Sequence, residues 1–324
     1  MPGADPRLRP TPDYGTLGPG SDIATVDCDL NSGPIHRART SRRFGPVLSV
    51  IIGIVAAISF VNIVNAHPFG ALLTSSGSSA TQSLKDPHQI DRLKPQNQAE
   101  SLLELAVGRS DGAVDQISSH VDRWQGKLKW TSQIATLTTA ALNSNDLRVR
   151  ESGIEVELAA YGLARNSASL DYALLSAESK DHAKKIWGLW ALGLMGNRGV
   201  ETSRVIDVLK THLKDRDEDS RHWAVEGLAL TGATPSILPL LQTMHDDPSS
   251  RVRESAACSL AESGMYTSEQ RLSAVPQLLI YTDDPSLDAQ THAWAFQALS
   301  DITQQHLPKD PAAWRSWYAS TKID

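Results

Sequence analysis

Four residues occur twice in this chain. Val149-Arg150-Glu151-Ser152 returns unchanged as Val252-Arg253-Glu254-Ser255, and related stretches lie between and beyond the two copies. From Lys185 the chain reads KIWGLWALGLMG, from Arg221 RHWAVEGLALTG, from Arg253 RESAACSLAESG and from His292 HAWAFQALSDIT. The anchor positions 150, 185, 221, 253 and 292 are spaced 35, 36, 32 and 39 residues apart. The intervening segment repeats too: Pro239 and Asp246-Asp247-Pro248-Ser249 recur 37 residues later as Pro276 and Asp283-Asp284-Pro285-Ser286. Two helices of this length cannot bury an apolar face by themselves, so they must stack on their neighbours. The period predicts an all-α chain with an α-solenoid of about five to six helix pairs.

Local chemistry supports that prediction. From about Ala99 the apolar residues recur at helical spacing, with no alternating runs and no Asn-Gly or Asp-Gly hairpin signal. Asp or Ser before each anchor helix is placed to cap it. A small residue (Gly188, Ala224, Ala256, Ala295) marks close approach, and Leu192, Leu228, Leu260 and Leu299 follow four residues later on the same face. Gly196, Gly232 and Gly264 are expected as left-handed C-caps. Thr234-Pro235 is expected to open a helix with a cap and Pro at its first position. Pro239 and Pro276 are expected to bend theirs, and Thr267 to Gln270 fits a capping box.

This combination of acidic turn, Val-Arg, small residue, Leu and closing Gly resembles HEAT repeats, in the variety seen in phycobilisome-lyase-like HEAT proteins. The final DITQQHLPKDPAAWRSWY is similar to the end of bacterial exported or membrane-anchored HEAT proteins. The resemblance covers roughly 145–320 and, more loosely, 99–144. It implies a long surface for protein partners. A few related helical repeats act on pigments or DNA bases, but no such residue set carries over to this chain.

The N-terminal quarter is of another kind. Residues 44–84 contain no Asp, Glu, Lys or Arg, and from Val47 to Val64 the run VLSVIIGIVAAISFVNIV is apolar. At ~1.5 Å per residue it reaches about 27 Å, near the thickness of a bilayer's hydrocarbon core. Arg37, Arg39, Arg42 and Arg43 precede it, and no Lys or Arg follows until Lys85. That asymmetry predicts a cytoplasmic N-terminus and an extracytoplasmic (periplasmic) C-terminal part. The chain is therefore expected to divide into a disordered tail (1–43), a transmembrane anchor (44–66), a flexible linker (67–87), an N-terminal helical part (88–144) and a HEAT domain (145–324). Val64-Asn65-Ala66 also fits a signal-cleavage pattern, so secretion after cleavage following Ala66 is the competing reading. With this topology Cys28 and Cys258 face different compartments and could not pair, and Cys258 reads as a small buried residue in a helix.

Chemistry is sparse. There is no Gly-x-Ser-x-Gly, P-loop, His-Glu-x-x-His or Cys-x-x-Cys. His245-Asp246-Asp247 is the nearest thing to a metal trio and reads more simply as a capping turn; Asp215, Asp217, Glu218 and Asp219 read as a solvated helix start. Residues 85–324 carry 25 Lys and Arg against 32 Asp and Glu, a net −7 that argues against nucleic acid. Arg148, Arg150, Arg221, Arg251 and Arg253 are expected to pair with turn aspartates between repeats. Eight tryptophans all lie beyond residue 100, with Trp187, Trp223 and Trp294 in one register. Large aromatics most often pack cores; Trp190, Trp223 and Trp294 are also the candidate partner-binding residues. No catalytic, cofactor or metal residue is assigned. The expectation is a non-catalytic interaction scaffold, with an enzyme on a HEAT-type fold as the alternative. That alternative would gain from His222 or His292 lying in a pocket with a carboxylate.

Overall fold

A computed structural model of the chain describes residues 90–321, so the expectations for the tail, the apolar run 47–64, its cleavage site and Cys28 lie outside the described residues. The described residues form helices and no strand: α1 (Pro95–Val107), α2 (Ala113–Trp124), α3 (Ser132–Leu142), α4 (Leu147–Ala160), α5 (Ser167–Ala177), α6 (His182–Asn197), α7 (Thr202–His212), α8 (Glu218–Thr231), α9 (Ile237–Asp246), α10 (Ser250–Cys258), α11 (Ser268–Leu272), α12 (Val275–Tyr281), α13 (Ala289–Thr303) and α14 (Pro311–Thr321). Among them no helix is long and apolar enough to cross a membrane.

The anchor motifs build one layer. In α6 and α8, starts meet starts (His182 with Asp217, 3.3 Å) and ends meet ends (Asn197 donates to the Leu230 carbonyl, 3.0 Å), so the helices are parallel. In α8 and α10 the same holds: Arg251 reaches Asp219, and the Met265 amide bonds the Ala229 carbonyl at 3.0 Å. In α13, Asp288 and Thr291 at the start receive Arg253 of α10. Helices α5, α7, α9 and α12 pack against this layer as a second one.

Glycine sets the spacing. A Cβ at Gly188 would lie 2.3 Å from the Ala177 nitrogen, and one at Gly193 would lie 2.5 Å from the Gly227 carbonyl oxygen. Leu192, Leu228, Leu260 and Leu299 are all buried, as their register required. Aspartate caps form as expected: Asp146, Asp181, Asp217 and Asp288 each accept an amide from the first turn of the helix that follows. The Thr267–Gln270 capping box also forms.

Other local expectations are corrected. Of the three glycines expected as left-handed caps, Gly196, Gly232 and Gly264, only Gly232 is left-handed (φ 62°). Gly196 lies inside α6, and Gly264 is kept small because a Cβ there would meet the Ser259 carbonyl and the Tyr266 ring, each at 2.6 Å. Thr234 caps nothing; it sits in a 3-10 turn, Thr234–Ser236. Pro239 and Pro276 fall in the first turns of α9 and α12, directly after the 3-10 turn and after the break between α11 and α12, so each stands where a helix begins and not inside one. The end of α10 widens into a π turn, Ser259–Ser263.

Helix α4 departs most from expectation. It carries the repeated Val-Arg-Glu-Ser, and Gly153 touches α3 as Gly188 touches α5. Yet Tyr161, just past its end, meets Trp187 and Trp190 near the start of α6, while Glu155 meets Arg198 just beyond the end of α6 at 2.6 Å. The numbering runs in opposite senses, so α4 is antiparallel to α6. Its first turn extends further still, to the loop closing α10. A second apolar core, built from α1, α2 and α3, is shared with the other side of α4 through Val149, Val156 and Ala159.

Candidate protein-binding face

An ion ladder ties the starts of the parallel helices together. Lys185 pairs with Asp215 at 3.0 Å, Arg221 forks onto Asp247 at 2.8 and 3.1 Å, and Arg253 meets Asp288 at 2.6 Å. Asp288 is held below the usual carboxylate range by the amide and hydroxyl of Thr291, with help from Arg253. Arg221 is buried, so the fork is a fixed joint rather than a solvated pair. The expected arginine ladder is thus present for Arg221, Arg251 and Arg253. Arg148 instead pairs with Asp115 of α2. Arg150 breaks the pattern: it donates to the carbonyls of Ser144, Glu262, Ser263 and Gly264, more than a hundred residues apart.

The same ladder dissolves the apparent metal trio. Asp247 turns inward to Arg221, whereas His245 bonds its neighbour Asp246 and Asp284 of the next turn. Sequence reasoning missed a different grouping, His182 with Asp217 and Asp219, because its members lie 35 and 37 residues apart in sequence. Its oxygens are already engaged: Asp217 accepts from the Ser220 amide and hydroxyl, and Asp219 pairs with Arg251.

The tryptophans divide. Trp190 is 1% exposed and Trp294 is 3% exposed, both packed in the apolar core, while Trp223 is half-buried and presents surface. Trp314 is buried and Trp317 packs across it, as expected for an end cap. Beside Trp223 lie His222 and, one turn on, Glu226, whose carboxylate accepts the Ser255 hydroxyl at 2.6 Å. Burial pushes the Glu226 carboxyl up to about 7, against the Ser255 hydroxyl and the Arg251 cation, and the residue keeps part of its surface. Burial, helped by the Arg251 cation, pushes His222 down to about 4, and its Nδ1 has no partner. His292 bonds the Asp284 carbonyl instead. No hydrogen bond joins His222 to a carboxylate among the described residues. A small cavity lies elsewhere, beside α4, between Gln125, Glu155 and Arg165; its volume of about 10 Å³ takes at most a water.

Cys258 is buried, as expected, but it is disulfide-bonded. The chain's only other cysteine, Cys28, lies outside the described residues.

Comparison with known proteins places the repeat. The family of HEAT repeats matches residues 170–261 and 206–300. No curated protein matches the chain. Two engineered proteins of known crystal structure are 17% identical; they cover 64% of this chain and 90% and 99% of their own length, with TM-scores of 0.31 and 0.32. A designed armadillo repeat protein is 15% identical, covers 68% of this chain and 96% of its own length, and has a TM-score of 0.30. The match begins at 170, inside α5, and ends at 300, inside α13, so the similarity to HEAT repeats spans the parallel layer and its outer helices and not α1 to α4.

Proposed function

We propose that this chain is a non-catalytic protein-interaction scaffold whose HEAT array binds a protein partner through the face around Trp223. The half-buried Trp223, one turn from the partly exposed Glu226 in an array whose other register tryptophans are covered, carries this reading. Large aromatics bordered by polar groups are typical binding anchors. Trp190 and Trp294 are buried in the apolar core and in this proposal contribute to its packing, not to the contact. Cross-linking the full chain in its native membranes and co-purifying should recover a defined partner that the Trp223→Ala chain loses. Recovery of the bare monomer from both chains overturns the proposal.

The proposal also places the array outside the cytoplasm, with the chain held in the bilayer by the run from Val47 to Val64. The arginine-flanked apolar run supports this. One chain cannot both span the bilayer between its two cysteines and join them. Labelling Cys28 with a membrane-impermeant maleimide only after permeabilisation supports the anchor. A Cys28–Cys258 bond on a non-reducing gel of cell-derived protein rejects it.

One observation favours the enzyme reading: Glu226 and His222, one turn apart, have pKa values displaced in opposite directions. Loss of partner binding in Trp223→Ala with Glu226→Gln unaffected would leave that reading without support.

A further inference from the structure

Three turn aspartates of the array do the same local work. Asp215, Asp247 and Asp284 each accept the amide two residues on, from Asp217, Ser249 and Ser286. Two of them are also held across the joint by a cation of the preceding repeat: Lys185 reaches Asp215 at 3.0 Å, and Arg221 forks onto Asp247 at 2.8 and 3.1 Å. Lys and Arg keep their charge throughout the physiological range. The third turn is held differently. Arg253 stands in the register of Lys185 and Arg221, but it goes to Asp288 and Thr291. Asp284 receives a histidine instead, His245 from the end of α9, whose Nε2 lies 3.3 Å from its Oδ2.

The other nitrogen of that ring is also aimed at a carboxylate: Nδ1 lies 2.5 Å from Asp246 Oδ1. A neutral imidazole carries one N–H, so one of the two carboxylates would then face a lone pair; only the imidazolium donates to both. The groups around it are accounted for. The Ser286 hydroxyl lies 3.3 Å from Nε2, and the Tyr281 ring of α12 lies 5.1 Å away. Asp283 pairs with Arg315 of α14, Asp247 is taken by Arg221, and His292 of α13 donates to the Asp284 carbonyl. The turn 283–286 is thus where α9, α12, α13 and α14 are joined. Asp246, with Asp284 and against partial burial, holds the His245 imidazole above its ordinary value of 6.5. Ser286, with help from His245, holds Asp284 below the usual carboxylate range.

We propose that the joint between the α9–α10 repeat and the α12–α13 repeat is operated by a proton: protonated His245 takes the place of the ladder's permanent cation at Asp284, and its deprotonation loosens the last repeat together with α14. A group raised in the folded state adds stability that is complete below 6.5 and is lost as pH rises through the raised value. The end of the array is therefore tight in acid and looser in base, while the Lys185 and Arg221 joints stay as they are. The Arg253–Asp288 pair remains in both states, so the repeat loosens without detaching.

Amide hydrogen exchange of the full chain at pH 5.5 and 8.5, corrected for the intrinsic rate at each pH, tests this. Glu157 changes the stability of the whole fold, so the reading is the protection of α12 and α13 relative to α7 and α8 in the same chain. That ratio should fall by about threefold or more from pH 5.5 to pH 8.5. His245→Gln should show the low ratio at both values. Asp284→Asn keeps an oxygen for the Ser286 amide but removes the charge that His245 meets, and should do the same. A ratio in the native chain that does not change overturns the proposal, as does a fall that survives in His245→Gln. If His245→Gln does not fold, as read by circular dichroism, a fall that survives in Asp284→Asn overturns it equally.

Discussion

Helix α6 has two neighbours that meet it in opposite ways. Toward α8 the contact is backbone on backbone: Gly193 and Gly227 leave no room for a methyl group, and Lys185 reaches Asp215 across the starts. Toward α4 the contact is made by long side chains, Tyr161 on Trp187 and Trp190 and Glu155 on Arg198, with polar atoms left unpaired. Both neighbours carry a Val-Arg or basic anchor motif. The difference shows that the motif specifies a helix and its hairpin partner, while small residues on the flank decide whether the next repeat stacks in parallel. Where glycine is present the backbones close; where α4 presents Tyr161 and Glu155, the helix lies antiparallel instead.

The sharpest break of this comparison is at the ladder. Arg221→Ala leaves Asp247 buried without its cation and is expected to cost about 4 kcal/mol. Urea denaturation reads this directly, and a loss under 1 kcal/mol would show that the fork is dispensable. Next comes the spacing itself. Gly193→Ala places a methyl against the Gly227 backbone and is expected to cost about 3 kcal/mol. Ala at Gly162 on the α4 side is expected to cost less, about 1 kcal/mol, through its positive φ alone.

The N-terminal core is tested by pH. Glu157 is fully buried between α3 and α4, and burial raises its carboxyl from 4.5 to about 8; the nearby Thr138 hydroxyl is committed to the Ile134 carbonyl. The folded state therefore holds a proton that the unfolded chain releases above 4.5. Stability is unaffected below that value, falls as pH rises from about 4.5 to 8, and levels off above. Glu157→Gln should remove most of that slope and stabilise the chain at pH 8 by roughly 2 kcal/mol. Thermal melts of both chains from pH 5 to 9 check this, and parallel curves would show that Glu157 is solvated. The smallest effect is expected at Arg251→Ala. Its pair with Asp219 is half exposed on both sides, so the change should stay within about 0.5 kcal/mol.

Much of the repeat was legible because each repeat buries the same positions. Gly188, the register leucines and the capping aspartates stand where the period put them. The prolines and glycines were harder. Pro239 and Pro276 are harmless because helices α9 and α12 start two and one residues before them, a boundary that periodicity does not resolve. Gly264 is small for the sake of Tyr266, which packs back onto it from the loop beyond α10. Of the candidate binding residues, the shared register of Trp187, Trp223 and Trp294 was visible, but not that Trp223 alone of the three keeps surface.

By itself, the sequence determined that this chain stacks paired helices with a period near 36, because a helix with a repeating apolar face must bury it on a copy of itself. Only the tertiary structure decided where the stack stops. Two identical tetrapeptides, at 149–152 and 252–255, lie in helices of opposite direction because direction follows from what flanks a helix in space. Glycine backbones draw α8 against α6, and the bulk of Tyr161 and the reach of Arg150 lay α4 across it.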